Sequence, residues 1–158
     1  MNKKLISTIF SIVVLAIGGY FLFQNLTGNT DAMMTYLEDT EQLTDDYLAI
    51  SYLEFDGETE EELNEFLSAT VIPELEEIVA RSKAYSSKIE KEELKEIHEI
   101  HNRALALHLQ AEQAWLDGLE EESDSLFYES GELYTKFEEE LNSLANKWGV
   151  TIDWQEVE

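Results

Sequence analysis

The stretch LEEESDSLFYESGELYTKFEEELNSLANKWGV, residues 119–150, decides the fold. Leu126, Ser130, Leu133, Phe137, Leu141, Leu144 and Trp148 recur at steps of three and four, close to heptad order, with Glu129, Glu132, Glu138, Glu139 and Glu140 among the positions between them. That period lays apolar side chains along one side of a helix and acids along the other, the pattern of a bundle or coiled-coil seam. Gly149 followed by Val150 has the form of a left-handed helix stop with a trailing apolar contact.

Working towards the N-terminus, the same reading finds three more helices. One spans about 88–117 and is closed by Gly118; before it, Ser87-Lys88-Ile89-Glu90 has the form of a capping box and sets a turn near Ser86. Another opens at Thr59-Glu60-Glu61-Glu62, where the threonine oxygen can cap a free amide and three acids suit the positive helix start. It carries Leu63, Phe66, Leu67, Val71, Leu75, Ile78 and Tyr85 on one face. Pro73 falls inside this pattern, and because the apolar phase survives on both sides of it the expectation is a kink and not a break. The first helix, about 31–55, places Met33, Leu37, Tyr47, Leu48 and Phe55 near one side, interrupted by Thr40 and Thr44. Four amphipathic helices with short turns pack most economically as an antiparallel four-helix bundle. Phe66, Leu67, Ile78, Ile97, Leu105, Trp115, Leu133, Phe137 and Leu141 are expected among its most buried residues, with the tail 151–158 folded back through Ile152 and Trp154.

Ahead of the bundle lies LISTIFSIVVLAIGGYFLF, residues 5–23, a run of 19 without a charge, preceded by Lys3 and Lys4. As a helix it measures about 28 Å, close to the roughly 30 Å of a hydrocarbon core. Tyr20, Phe21 and Phe23 suit the far interface, and the lysines hold the N-terminus in the cytoplasm. The expected organisation is therefore all-α: an uncleaved N-terminal membrane anchor over 1–23, a linker over 24–30 and an extracytoplasmic helical bundle over 31–158. The alternative is secretion after signal cleavage, but apolar chain runs on past the small-residue site Ala16-Ile17-Gly18.

Ten basic residues stand against 35 acidic ones; Lys3 and Lys4 precede the apolar run, leaving the outer part at 8 − 35 = −27. Such a surface repels nucleic acid and anionic headgroups and attracts cations or a basic protein partner. With no cysteine in the chain, disulfides, thiolate metal sites, covalent haem attachment and lipidation of an N-terminal cysteine are excluded. The candidate chemistry is His98, His101, His108 and Glu112 on the third helix, where His101 and His108 share the side of Ile97, Leu105 and Trp115. Inward histidines invite a metal, yet His101 and His108 lie two turns, about 10.5 Å, apart along the axis. His98 with His101, or His108 with Glu112, supplies only two ligands, and the Glu-x-x-His pairing of di-iron bundles is absent. The sequence thus points to a non-enzymatic interaction or structural protein of the cell envelope, without cofactor, and its alternative is a bundle acting as sensor or carrier at those inward histidines.

Overall fold

The computed structural model describes residues 13–16, 28–51, 53, 55, 57 and 59–156. Five helical segments follow one another: α1 (Gly28–Ser51), α2 (Glu60–Phe66), α3 (Ile72–Tyr85), α4 (Glu92–Leu116) and α5 (Glu120–Lys147). A π-helical turn, Leu67–Val71, joins α2 to α3 without a break, so they act as one arm and the architecture is a bundle of four helical stretches. The strand β2 (Asp153–Glu156) pairs antiparallel with β1 (Val13–Ala16). Those four residues are the described part of the 5–23 run, and they are extended; the rest of the expected anchor and residues 24–27 of the linker lie outside the described residues. Among the described residues no helix is long and apolar enough to cross a membrane.

Hydrogen bonds fix the helix directions. Arg81 binds Asp46 and Tyr85 binds Asp39, which runs α3 antiparallel to α1. Ser123 bonds to Ala111 and Ser130 to Ala104, which runs α5 antiparallel to α4. Tyr36 meets His98 and Tyr47 meets His108, so α1 and α4 run parallel across the bundle. The topology is up-down-up-down, with α1 and α4 on one diagonal.

Two apolar clusters fill the interior. At the end where α1 begins, Met33, Leu37, Leu94, Leu141, Trp148 and Ile152 pack together, so the tail does fold back through Ile152. At the other end Leu43, Tyr47, Leu67, Leu75, Ile78 and Leu105 pack against the π turn. Leu67, Ile78, Ile97, Leu105 and Leu141 are buried as expected, whereas Phe66, Trp115, Leu133 and Phe137 are only part-buried. A heptad phase names the correct side of a helix, but side chains as large as these sit on the flanks of the seam, and small residues occupy its closest line.

The stops and starts show which signals the chain obeys. Thr59 and Glu62 form the reciprocal capping box. The expected box at Ser87 does not form: Ser86–Lys88 is a 3-10 turn, the Ser87 hydroxyl bonds back to the Ala84 carbonyl, and α4 starts at Glu92, not near 88. The first helix ends at Ser51, four residues short of 55. At Pro73 the kink takes a definite form, because its ring clashes with a carbonyl one turn back and its nitrogen carries no hydrogen. The helix absorbs this by widening, and the Ile72 amide bonds to the Leu67 carbonyl five residues back.

Gly118 closes α4 at φ +74°, with the Leu119 amide reaching the Ala114 carbonyl, and Gly149 closes α5 in the same way at φ +79°, with Val150 bonded to Ala145. No atom lies within 4 Å of a Cβ added at Gly118 or at Gly131 in mid-α5, and of these two only Gly118 has a positive φ. Gly118→Ala is therefore expected to cost about 1 kcal/mol through backbone strain, while Gly131→Ala gains about 0.5–1 kcal/mol. Urea midpoints moving in opposite directions at unchanged slope check this.

Candidate functional site

All three histidines of α4 point into the bundle: His98, which the sequence phase did not place inward, is 0% exposed, and His101 and His108 are buried beside it. Each meets a tyrosine from another helix. His98 Nε2 lies 2.9 Å from the Ser82 carbonyl, which only accepts, so this nitrogen carries the hydrogen. Nδ1 is then free to accept from the Tyr36 hydroxyl at 3.0 Å. One turn away Ser82 donates to Asn102, which donates in turn to Ser86, completing the polar packing of α3 on α4.

The second assembly is a continuous chain of hydrogen bonds. His108 Nε2 faces Glu112 Oε1 at 3.5 Å, and Nδ1 lies 2.7 Å from the Tyr47 hydroxyl. With the ring hydrogen on the side of Glu112, Nδ1 accepts from Tyr47. The Tyr47 hydroxyl is also bonded to that of Tyr134, whose ring stacks on it at 5.2 Å. Since the Tyr47 hydrogen is committed to His108, Tyr134 donates to Tyr47 and accepts from His101 Nε2 at 3.4 Å. Glu112 on α4, Tyr47 on α1 and Tyr134 on α5 are thereby linked through two histidines, with every hydrogen directed the same way.

The chain ends on an unpartnered atom. His101 Nδ1 is buried without a hydrogen-bond partner, its ring stacked 4.6 Å from that of Phe137. Burial, followed by the neighbouring His98, pushes the His101 pKa down to about 3. Burial also lowers that of His98 and raises those of Tyr36, Tyr47 and Tyr134, so these groups are held uncharged around neutrality.

This arrangement differs from a metal centre. The four candidates His98, His101, His108 and Glu112 do not converge, and among the described residues no three His, Asp or Glu side chains are grouped to hold an ion. His98 and His101 come within 5.9 Å, ring centre to ring centre, but their bonded nitrogens are turned to different helices. Glu138 differs from its exposed neighbours Glu139 and Glu140: it is half-buried, and burial pushes its carboxyl up to about 7.

The fold also reveals a charge pattern that linear reading left as a bare excess of acid. Six of the eight bases beyond the apolar run fall between Arg81 and Arg103, and the others are Lys136 and Lys147. In the bundle these positions belong to the end of α3, the first half of α4 and the second half of α5. Lys88, Lys91, Lys95, Lys136 and Lys147 lie towards the end where α1 begins, whereas Arg81 reaches Asp46 within two turns of the end of α1 and Arg103 adjoins Ala104 in mid-bundle. Towards the opposite end, among the described residues, α1, α2 and the first half of α5 carry no base, and Glu60, Glu61 and Glu62 open α2 while Glu120, Glu121 and Glu122 open α5. Leu53 and Leu119 are exposed at this same end. No protein family, curated protein or solved structure matches the chain.

Proposed function

We propose that this protein is a single-pass, membrane-anchored component of the cell envelope, whose acidic bundle stands on the outer side and binds a basic protein partner without doing chemistry. The observation that carries the reading is the axial charge polarity. Six carboxylates at two helix starts, with no base in α1, α2 or the first half of α5, attract a cationic surface, and these starts lie at the end of the bundle away from the start of α1. The run of 19 uncharged residues behind Lys3 and Lys4 supports the anchor and its orientation. The histidines support a structural part for the interior, since their bonded nitrogens are spent on tyrosines, a carboxylate and a main-chain carbonyl.

The test has two arms in cells that make the full chain. Protease added to intact cells is expected to digest the bundle, and alkaline extraction to leave the protein in the membrane with residues 1–23 attached. A mature start between Gly19 and Met33, or a protected bundle, overturns the anchor or its orientation. In the second arm, Glu120, Glu121 and Glu122 are changed to Lys; a crosslinked partner should be lost from a still-helical protein, and salt should weaken capture by the unaltered chain. Capture indifferent to both changes excludes the acidic end as the binding face.

A further inference from the structure

The outer side of the α4–α5 pair carries apolar side chains that neither interior cluster uses. Ser130 lies level with Ala104 and Ser123 level with Ala111, which fixes the register of the two helices. At about 100° per residue, His101 and His108 on α4 and Tyr134 and Phe127 on α5 lie about 40–60° to the inner side of that line. Ile100 and Leu107 on α4, and Leu126 and Leu133 on α5, lie about as far to the outer side. These four are half-buried, and none is part of either apolar cluster. The register sets Ile100 beside Leu133 and Leu107 beside Leu126, so they form an apolar groove along the outside of the pair. A hollow between Glu96, Ile97, Glu140 and Leu144 continues it, and the Lys147–Glu93 ion pair at 2.8 Å closes it.

Charges of both signs edge this groove. Glu96, Glu99 and Arg103 follow its α4 edge, Glu129 and Lys136 its α5 edge, and all five are exposed. Arg103 makes no ion pair among the described residues. We propose that the groove is the contact between two copies of this chain, paired side by side about a two-fold axis parallel to the helices, so that α4 and α5 of both copies complete a second four-helix bundle. Each α4 then lies against α5 of the other copy at the same level. Leu107 meets Leu126 and Ile100 meets Leu133 across the contact. Arg103, within two residues of the level of Glu129, meets that glutamate of the second copy. Lys136, level with His98, meets Glu96 and Glu99 and keeps its own Glu140 at 3.6 Å. This complementarity selects the occupant: a basic partner would set like charges against Arg103 and Lys136, and an apolar helix would leave both unpaired, whereas a second copy supplies an acid to each. The remaining acids of a chain at −25 oppose the pairing weakly, since charges farther apart than about 8 Å are screened at physiological salt.

Because the chain has no cysteine, single thiols report the contact cleanly. Two differently tagged full-length versions, Arg103→Cys and Glu129→Cys, are made in the same cells and oxidised with a membrane-permeant reagent, so the outcome does not depend on the anchor or its orientation. A disulfide-linked band carrying both tags is expected. Each version alone should give about tenfold less, because identical positions lie on opposite edges of the dimer, beyond disulfide reach. Tyr128→Cys, exposed on the back of α5, should not link to Arg103→Cys. In mild detergent, Arg103→Glu should lower capture of one tag by the other about tenfold, since like charges then meet at two symmetry-related places, and adding Glu129→Arg to the same chain should restore it. Linkage of Arg103→Cys to itself, or capture indifferent to Arg103→Glu, overturns the arrangement. Thiols that link to a different protein and give no two-tag band assign the groove to another occupant and overturn the dimer.

Discussion

Ala104→Leu is expected to lower the melting temperature by about 10–20 °C, among the largest effects of any single substitution in the bundle. Ala104 and Ala111 on α4 and Ser123 and Ser130 on α5 are all 0% exposed and are spaced seven residues apart on each helix. The two backbones approach so closely along this line that the Ser123 and Ser130 hydroxyls each reach an α4 carbonyl at 2.9 Å. A leucine in that space costs about 1–3 kcal/mol in forced rotamers and backbone shifts. It also pushes the Ser130 hydroxyl off the carbonyl, stranding a buried polar group for about another 1–3 kcal/mol. The sum is a large part of the roughly 5–15 kcal/mol that holds a domain together, and at about 3–5 °C per kcal/mol it gives the stated shift. Ser130→Ala separates the two effects: it removes the donor and leaves an ordinary helical carbonyl, so it should cost about 1 kcal/mol or less. Thermal scans decide, with the exposed Arg103→Leu as control; a shift under 3 °C for Ala104→Leu means the helices are not in close contact at this line.

That seam also marks where sequence reading stopped. The period of 119–150 located α5 to within a residue at each end, and the glycine stops were legible because a positive φ leaves few alternatives to glycine. The residues of closest approach were not, since Ser123 and Ala111 carry no apolar signal and their partners lie on another helix. Thr40 and Thr44 looked like flaws in the first stripe for the same reason. In the fold their hydroxyls turn back onto the Tyr36 and Thr40 carbonyls one turn earlier, and so hide their polarity within α1. Of the candidate site, the inward direction of His101 and His108 was legible from helical phase. Their tyrosine partners were not, because Tyr134 and Tyr47, 33 and 61 residues away in sequence, meet them only through the packing of the whole bundle.

The diagonal tyrosines should matter to stability more through what they leave behind than through the bonds themselves. Tyr47→Phe removes one hydroxyl that serves two neighbours, stranding His108 Nδ1 and the Tyr134 hydroxyl in the interior, at a cost of about 1–3 kcal/mol. His108→Phe strands the Tyr47 hydroxyl and takes a contact from Glu112, which is mostly buried, at a similar cost. Once either partner is gone the other has no bond left to lose across this contact. The double variant should therefore cost well under the sum, with a coupling of about 1–2 kcal/mol. Tyr36→Phe disrupts only the His98 pair, eleven residues and about 16 Å further along α1, so combined with Tyr47→Phe it should be additive. Both cycles are read from denaturant midpoints. Additivity at Tyr47 and His108 would show that their 2.7 Å contact contributes no more than its separate halves, while coupling between Tyr36 and Tyr47 would make the two tyrosine–histidine pairs a single cooperative layer.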